Sequence, residues 1–325
     1  MVDAGDGAAF VNLLITPKAL VRRHLVAPVA RLAGSPLPSP LAGRVVLVTG
    51  ASSGIGEATA KAVASRGGVV LCVARREAEL DRVVREIEEA GGSAHGYGCD
   101  LTDAAAVDAL VERVLREHAG VDMLVNNAGR SIRRSLALSY DRMHDFERTM
   151  AINYFGPVRL TMGLLPRMRE RRFGHVVNIV TWGVQLKAPK FAAYIASKTA
   201  LDTFARIAGR ETWFDNVTFT NLRLDLVRTE MIEATDAYRR APAKTPEQAA
   251  LLVVRALEDR PLTISTVAGR LGELLNLVAP RAMDAGMALM DAKMSDSRAA
   301  RAHVSGQVER SRTPSGLAKT TTLSL

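Results

Sequence analysis

Residues 44–56 read RVVLVTGASSGIG. The β-branched and aliphatic run Val45 to Thr49 leads straight into Gly50, Ala51, Ser52, Ser53, Gly54, Ile55 and Gly56, after which a helical pattern continues to about Arg66. A buried strand, a glycine-rich turn and a helix start in that order leave backbone N–H groups at the positive end of the helix dipole. A pyrophosphate fits there, because glycine lacks the Cβ that would block its approach. Without a ligand the same residues are a tight strand-to-helix turn; the strand before, the helix after and the place at a domain start favour the nucleotide reading.

Outward from that turn, short aliphatic runs alternate with amphipathic stretches. VVLCVA (69–74) is followed by a charged helix from Glu77 to Ala90, AHGYGCD (94–100), a helix from Asp103 to His118, and VDMLVNN (121–127). Two long helical patterns lie between Tyr140 and Arg172, then come HVVNIV (175–180), a helix from about Phe191 to Arg210, and VTFTNLRL (217–224). A capped helix after Thr245, a short strand at LTIST (262–266) and amphipathic segments from Leu271 to about Met294 complete the pattern. Strand and helix at this spacing predict βαβ units, and so an α/β fold with a doubly wound parallel sheet of the Rossmann type. We expect one domain over 41–297, an N-terminal extension and proline-rich linker over 1–40, and a polar, disordered tail over 298–325.

Composition agrees with a soluble globular chain: 325 residues, 48% hydrophobic, 24% charged. Aromatic residues are only 5%, so the core must be aliphatic, as in parallel strands buried on both faces. The net charge of +9 raises nucleic acid as a partner, but +2 of it lies in residues 1–40 and +4 in 298–325, and no basic run interleaved with aromatics occurs between them. Nucleic-acid binding is therefore not expected. Cys72 and Cys99 form no CxxC or Cys/His cluster, so neither a disulfide framework nor a metal site is expected. With no secretory signal and no apolar run of about 18 residues, a cytoplasmic location is expected. Residues 9–33 could lie on an anionic bilayer surface, or pack on this protein or a second copy of it.

About 20 positions beyond the glycine turn, at the end of the second strand, NAD-selective sites carry an acidic residue for the ribose hydroxyls. Counting from Gly54 reaches Ala74, followed by Arg75 and Arg76. With no carboxylate to repel it and a guanidinium to grip it, a 2′-phosphate is accepted, which favours NADP; the plain alternative is two solvated arginines. Further on, Tyr194 and Lys198 are four apart in a helical stretch and share a face. A cation beside a phenol favours its anion and so its proton exchange with a carbonyl oxygen.

TGASSGIG, Asn126-Asn127-Ala128-Gly129, Asn153 and Tyr194-Ile195-Ala196-Ser197-Lys198 occur together in an order and spacing that resemble the short-chain dehydrogenases/reductases. The resemblance implies that Tyr194 is the proton donor, that Lys198 lowers its pKa and holds the nicotinamide ribose, and that Asn153 anchors a water in a proton relay. It implies too that Asp100 and Leu101 lie by the adenine, that Asn127, Ala128 and Gly129 line the cofactor cleft, and that Val227 and Thr229 meet the carboxamide. Two positions depart from the pattern. Thr181 stands where a serine orients the substrate carbonyl, keeping the hydroxyl but adding a methyl and a stiffer χ1. Leu224-Asp225 replaces the usual Pro-Gly, and the residues alone suggest no role for Asp225.

Residues 140–232 resemble the fatty acyl-CoA reductase branch of that family, which implies NADPH-dependent reduction of a long-chain acyl thioester to an aldehyde. Arg130, Arg133 and Arg134 then read as a clamp for coenzyme A phosphates or as a solvated loop. The apolar segments after Leu271 read as a cover for an acyl chain, a membrane contact, or ordinary core or dimer packing. The alternative enzyme is an NADPH-dependent ketone or aldehyde reductase acting on a lipid or steroid; the alternative of another class is a non-catalytic nucleotide-binding scaffold. The family resemblance also implies a homodimer or homotetramer.

Overall fold

The computed structural model describes residues 21–27, 30, 37–233, 241–296 and 300. Seven parallel strands form one sheet: β1 (Val45–Thr49), β2 (Val69–Ala74), β3 (Ser93–Gly98), β4 (Met123–Asn126), β5 (Gly174–Thr181), β6 (Val217–Leu224) and β7 (Thr263–Ser265). Their spatial order, β3-β2-β1-β4-β5-β6-β7, runs outward from β1 to β3 and then restarts at β4 on the other side of β1. This is the doubly wound arrangement, and its reversal opens a crevice at the C-terminal ends of β1 and β4. The glycine turn follows β1 and therefore sits at that crevice.

Alternation along the strands builds two core layers. Val46 and Val48 of β1 and Val70 and Cys72 of β2 pack with Val63, Val83 and Val253, from α1 (Gly54–Ala64), α2 (Glu77–Glu89) and α9 (Pro246–Asp259). On the other face Leu47, Leu71 and Val73 pack with Val107, Leu160 and Ala205, from α3 (Ala104–His118), α5 (Gly156–Glu170) and α7 (Ala192–Glu211). Both faces of the sheet are covered, which is why its strands are near-continuous apolar runs. Two helix starts read from sequence carry caps: Asp103 accepts from the N–H groups of Ala105 and Ala106, and Thr245 with Gln248 forms a capping box.

A polar ladder crosses the apolar sheet. Asn126 and Asn178 are register partners, as are Asn178 and Asn221. Asn126 Nδ2 donates to Asn178 Oδ1 at 2.9 Å, Asn178 Nδ2 to Asn221 Oδ1 at 3.3 Å, and Asn221 Nδ2 to the Asp202 carbonyl at 2.8 Å. All three amides are buried, where an unpaired polar group costs about 1–3 kcal/mol, so pairing with each other is the arrangement that lets them stay.

The two helical patterns expected between Tyr140 and Arg172 are joined: α4 (Met143–Met150) runs through a π-helical turn, Ala151–Phe155, into α5. The segments after Leu271 form α10 (Val267–Val278) and α11 (Pro280–Lys293). α10 packs through Gly269 and Gly272, with Glu273 accepting from the Gln185 side chain and Asn276 donating to the Gln185 carbonyl of the short α6 (Gly183–Leu186). Leu271, Leu274, Leu277 and Val278 face outward, so ordinary core packing is not what α10's apolar residues do.

Of the expected N-terminal extension, the structure describes a π-helical turn at Arg22–Val26, with Leu25 and Val26 exposed, and the residues from Leu37 on. Ser39 Oγ donates to Glu258 on α9, and Leu41 is fully buried. The expected disordered tail lies outside the described residues except for Ala300, which is buried. No helix among the described residues is long and apolar enough to cross a membrane, and none of their His, Cys, Asp and Glu side chains form a group able to hold a metal ion.

Candidate active site

A cavity of about 1360 Å³ opens at the C-terminal edge of the sheet. Gly50, Ser52, Ser53, Gly54 and Ile55 line one end of it. Gly54 has φ +55°, the left-handed region that suits glycine, and a Cβ on Gly56 would stand 2.0 Å from the Gly50 carbonyl oxygen. Gly56 does not line the cavity; its bare Cα lets α1 start hard against the turn. Thr49 bolts a second turn to the first, its Oγ1 accepting from the N–H groups of Asn127 and Ala128, each at 3.0 Å. Asn127 Nδ2 donates to the Thr49 carbonyl at 2.8 Å, so Asn127, Ala128 and Gly129 form the adjoining wall.

Arg75 and Arg76 stand at the lip beyond β2. Arg76 Nη2 donates to Ser53 Oγ at 3.0 Å, whereas the Arg75 side chain is 71% exposed and lies 3.8 Å from Asp100. Of the two arginines expected at this position, Arg76 is the one bonded to the glycine turn, and Arg75 stands by Asp100. Asp100 Oδ1 is occupied by the N–H and hydroxyl of Thr102, and its neighbours Cys99 and Leu101 line the cavity.

The residues expected to carry chemistry converge at the middle of the cavity. Thr181, Tyr194 and Lys198 line it, while Asn153 is fully buried behind the wall. Asn153 lies in the π-helical turn, and its Oδ1 accepts from the Arg130 N–H while its Nδ2 donates to the Arg130 carbonyl and to Ser197 Oγ, at 2.9, 2.8 and 2.9 Å. Such turns recur where a helix must bend its bonding to serve a site. Lys198 Nζ donates to the Ile179 carbonyl at 2.9 Å, and burial pulls its pKa down to about 8. A Cβ on Gly129 would stand 2.8 Å from Asn153 Oδ1 and 3.2 Å from Lys198 Nζ, so this glycine is where the two groups meet. Thr181 Oγ1 accepts from the Gly183 N–H at 3.1 Å, which leaves its own proton to donate.

After β6, Val227 is buried, Thr229 Cγ2 lies 3.1 Å from where a Cβ on Gly54 would be, and the short α8 (Glu230–Glu233) follows. Asp225 gains a partner that its sequence position did not suggest: Lys244 Nζ is 2.6 Å from both of its carboxylate oxygens. The arginine clamp needs correction. Arg133 is buried, donating to the Ser295 carbonyl and lying over Phe191; Arg134 is paired with the buried Asp145. Of the three, Arg130 alone lines the cavity, joined by Arg228 from the β6 loop. Sequence reasoning also missed Ser197 as the partner of Asn153, although it stands inside the Tyr194–Lys198 motif. It missed Met287 and Met290, three apart on α11, and Met294 just past its end, which line the cavity.

A glycine cradle at the switch point, two arginines at its lip and a Tyr/Lys/Thr set beyond it fit a phosphorylated dinucleotide next to a reducible carbonyl. A family model described as short chain dehydrogenase matches residues 44–239. An uncharacterised oxidoreductase of Mycobacterium tuberculosis is 46% identical over 286 residues, covering 85% of this chain and 83% of that protein. A fatty acyl-CoA reductase of Acinetobacter baylyi is 48% identical over 238 residues, covering 73% and 81%. The crystal structure of a metagenomic short-chain oxidoreductase in complex with NADP is 30% identical, with a TM-score of 0.60, covering 70% of this chain and 97% of that one. The chain belongs to the short-chain dehydrogenase/reductase family, and it is an NADP-dependent oxidoreductase.

Proposed function

We propose that this enzyme reduces long-chain fatty acyl-CoA to fatty aldehyde. The observation that carries the reading is the shape of the cavity. One end of the cavity is the cofactor cradle, and beyond Tyr194 its wall passes to Leu186, Phe191, Met287, Met290 and Met294, a lining almost wholly apolar. Methionines conform to a flexible chain of variable length, as an acyl tail requires. Arg130 and Arg228 offer guanidinium groups to phosphates on the coenzyme A handle. The similarity to the Acinetobacter enzyme supports the same substrate class.

The glycine turn, with Ser52, Ser53, Arg75 and Arg76, would hold the cofactor phosphates, and Asn127 to Gly129, Leu101, Asp100, Val227 and Thr229 would flank the rest. Bound NADPH supplies a hydride to the thioester carbonyl carbon. Thr181 and Tyr194 hydrogen-bond the carbonyl oxygen and stabilise the negative charge that develops there. The adduct then expels coenzyme A thiolate, so one proton is taken up overall, and Tyr194 is the group set to exchange it. Lys198 favours the phenolate that proton exchange requires, and Asn153 holds the Arg130 backbone and Ser197 behind it.

The outward apolar face of α10, the helix packed beside α11, supports contact with a bilayer that supplies the acyl chain. Exposed Phe155, Met162 and Ile207 on the π-turn, α5 and α7 support assembly into a homodimer or homotetramer. A reducing, cytoplasmic compartment suits Cys72 and Cys99, both buried thiols. The test is to mix protein, NADPH and palmitoyl-CoA and follow cofactor oxidation and free thiol together. Thiol release in step with NADPH loss, absent in Tyr194→Phe, is the expected result. NADPH binding with no thiol released would overturn the acyl-CoA reading and direct attention to ketones and aldehydes.

A further inference from the structure

We propose that Asp225 is a positioning residue for cofactor binding: its ion pair with Lys244 holds Val227 to Thr229 against the glycine cradle. The backbone from Leu226 to Arg228 is zipped to that of Lys244. Lys244 N–H donates to the Leu226 carbonyl and Arg228 N–H to the Lys244 carbonyl, each at 2.9 Å, and Val227 and Lys244 form an isolated parallel bridge. A bridge one residue long is marginal by itself. The charge pair at its base adds a bidentate contact, with Lys244 Nζ 2.6 Å from both Asp225 oxygens.

Both ends of the zipper rest on rigid structure. Asp225 follows β6, whose last residue, Leu224, accepts from the Trp182 N–H at 2.9 Å. Lys244 precedes the Thr245 capping box of α9, a helix that buries Ala249, Val253 and Leu257 completely. The far end of the zipper delivers Thr229 to within 3.1 Å of the Cβ position on Gly54, at the start of α1. The ion pair therefore reinforces the placement of Val227 to Thr229 against the cradle. Leu224-Asp225, standing where the resemblance leads to Pro-Gly, does this through a side chain.

If cofactor binds only when Val227 to Thr229 stand against the cradle, the apparent affinity falls in proportion to the fraction of molecules so placed. The experiment titrates NADPH into wild-type protein, Asp225→Asn, Lys244→Gln and the double variant, following cofactor fluorescence, with thermal midpoints recorded alongside. Each single change should raise the NADPH Kd about fivefold, and the double no further, because either change already breaks the pair. Lys244→Arg, which keeps the charge, should stay near wild type, and it decides the matter against Lys244→Gln should Asp225→Asn not fold. An unchanged Kd with a lowered thermal midpoint would overturn the proposal, as would single effects that multiply in the double. Because the readout is cofactor binding, the outcome is independent of which substrate is reduced.

Discussion

The ammonium of Lys198 donates to the carbonyl of Ile179 at 2.9 Å, two residues before Thr181 on the strand that ends in the cavity. The ammonium is buried, and its pKa of about 8 lies below the ordinary lysine value of 10.5. Between those values the unfolded chain binds the proton and the folded chain does not, so this group makes stability rise with pH across that window. Relative to Lys198→Met, wild-type stability should increase by about 2 kcal/mol between pH 7.5 and 9.5. Urea unfolding of the two proteins at both pH values checks this, and a constant difference would show that the buried amine does not titrate there.

Thr181 should tolerate exchange by the residue it replaces. Thr181→Ser keeps the donor and is expected to retain turnover within about tenfold, whereas Thr181→Ala should lose about 10²–10³ in kcat with NADPH affinity unchanged. Steady-state rates beside direct cofactor titration separate the two effects. A fully active alanine variant would take Thr181 out of the oxyanion site.

Cofactor choice should rest on Arg75 and Arg76 together. Replacing both by alanine is expected to raise the KM for NADPH about 10–100-fold while leaving that for NADH almost unmoved, since the 2′-phosphate alone loses its charged partners. The ratio of the two KM values is the quantity to measure. If Arg75→Ala alone accounts for the change, the contact of Arg76 with Ser53 is incidental to selectivity.

Arg134 should differ in kind from Arg130 and Arg228. Arg134→Ala strips one cation from the buried Asp145, which also pairs with Arg142 and Arg148, and should cost about 1–3 kcal/mol of stability with no preferential loss toward acyl-CoA. Arg130→Gln with Arg228→Gln should raise the KM for acyl-CoA about tenfold and leave that for the free aldehyde in place. Equal effects on both substrates would remove the phosphate-handle role.

The parallel sheet was legible because aliphatic runs of strand length alternate with 3.6-residue patterns, and the cradle because glycine spacing reports a steric demand. The π-helical turn at Asn153 was not, since one wider turn barely disturbs the apolar rhythm from Met143 to Glu170. Nor was the pairing of Asp225 with Lys244, 19 residues away, or the burial of Arg133 beneath Ser295, 162 residues on. A charged side chain in a loop reads as solvated until its distant partner is known. The outward apolar face of α10 inverts the usual rule, and an amphipathic pattern does not say which side meets the protein.

The ladder of Asn126, Asn178 and Asn221 has a further consequence. Each stands three residues before a cavity-lining position on its own segment: Gly129, Thr181 and Leu224. An alternating apolar pattern forbids a slip of one residue but accepts a slip of two, which returns every side chain to its own face. A shift of two would break the amide chain in the dry interior, so the three asparagines act as a vernier for the sheet. They set the heights at which the three walls end, and so align the parts of the site that the loops alone could not keep level.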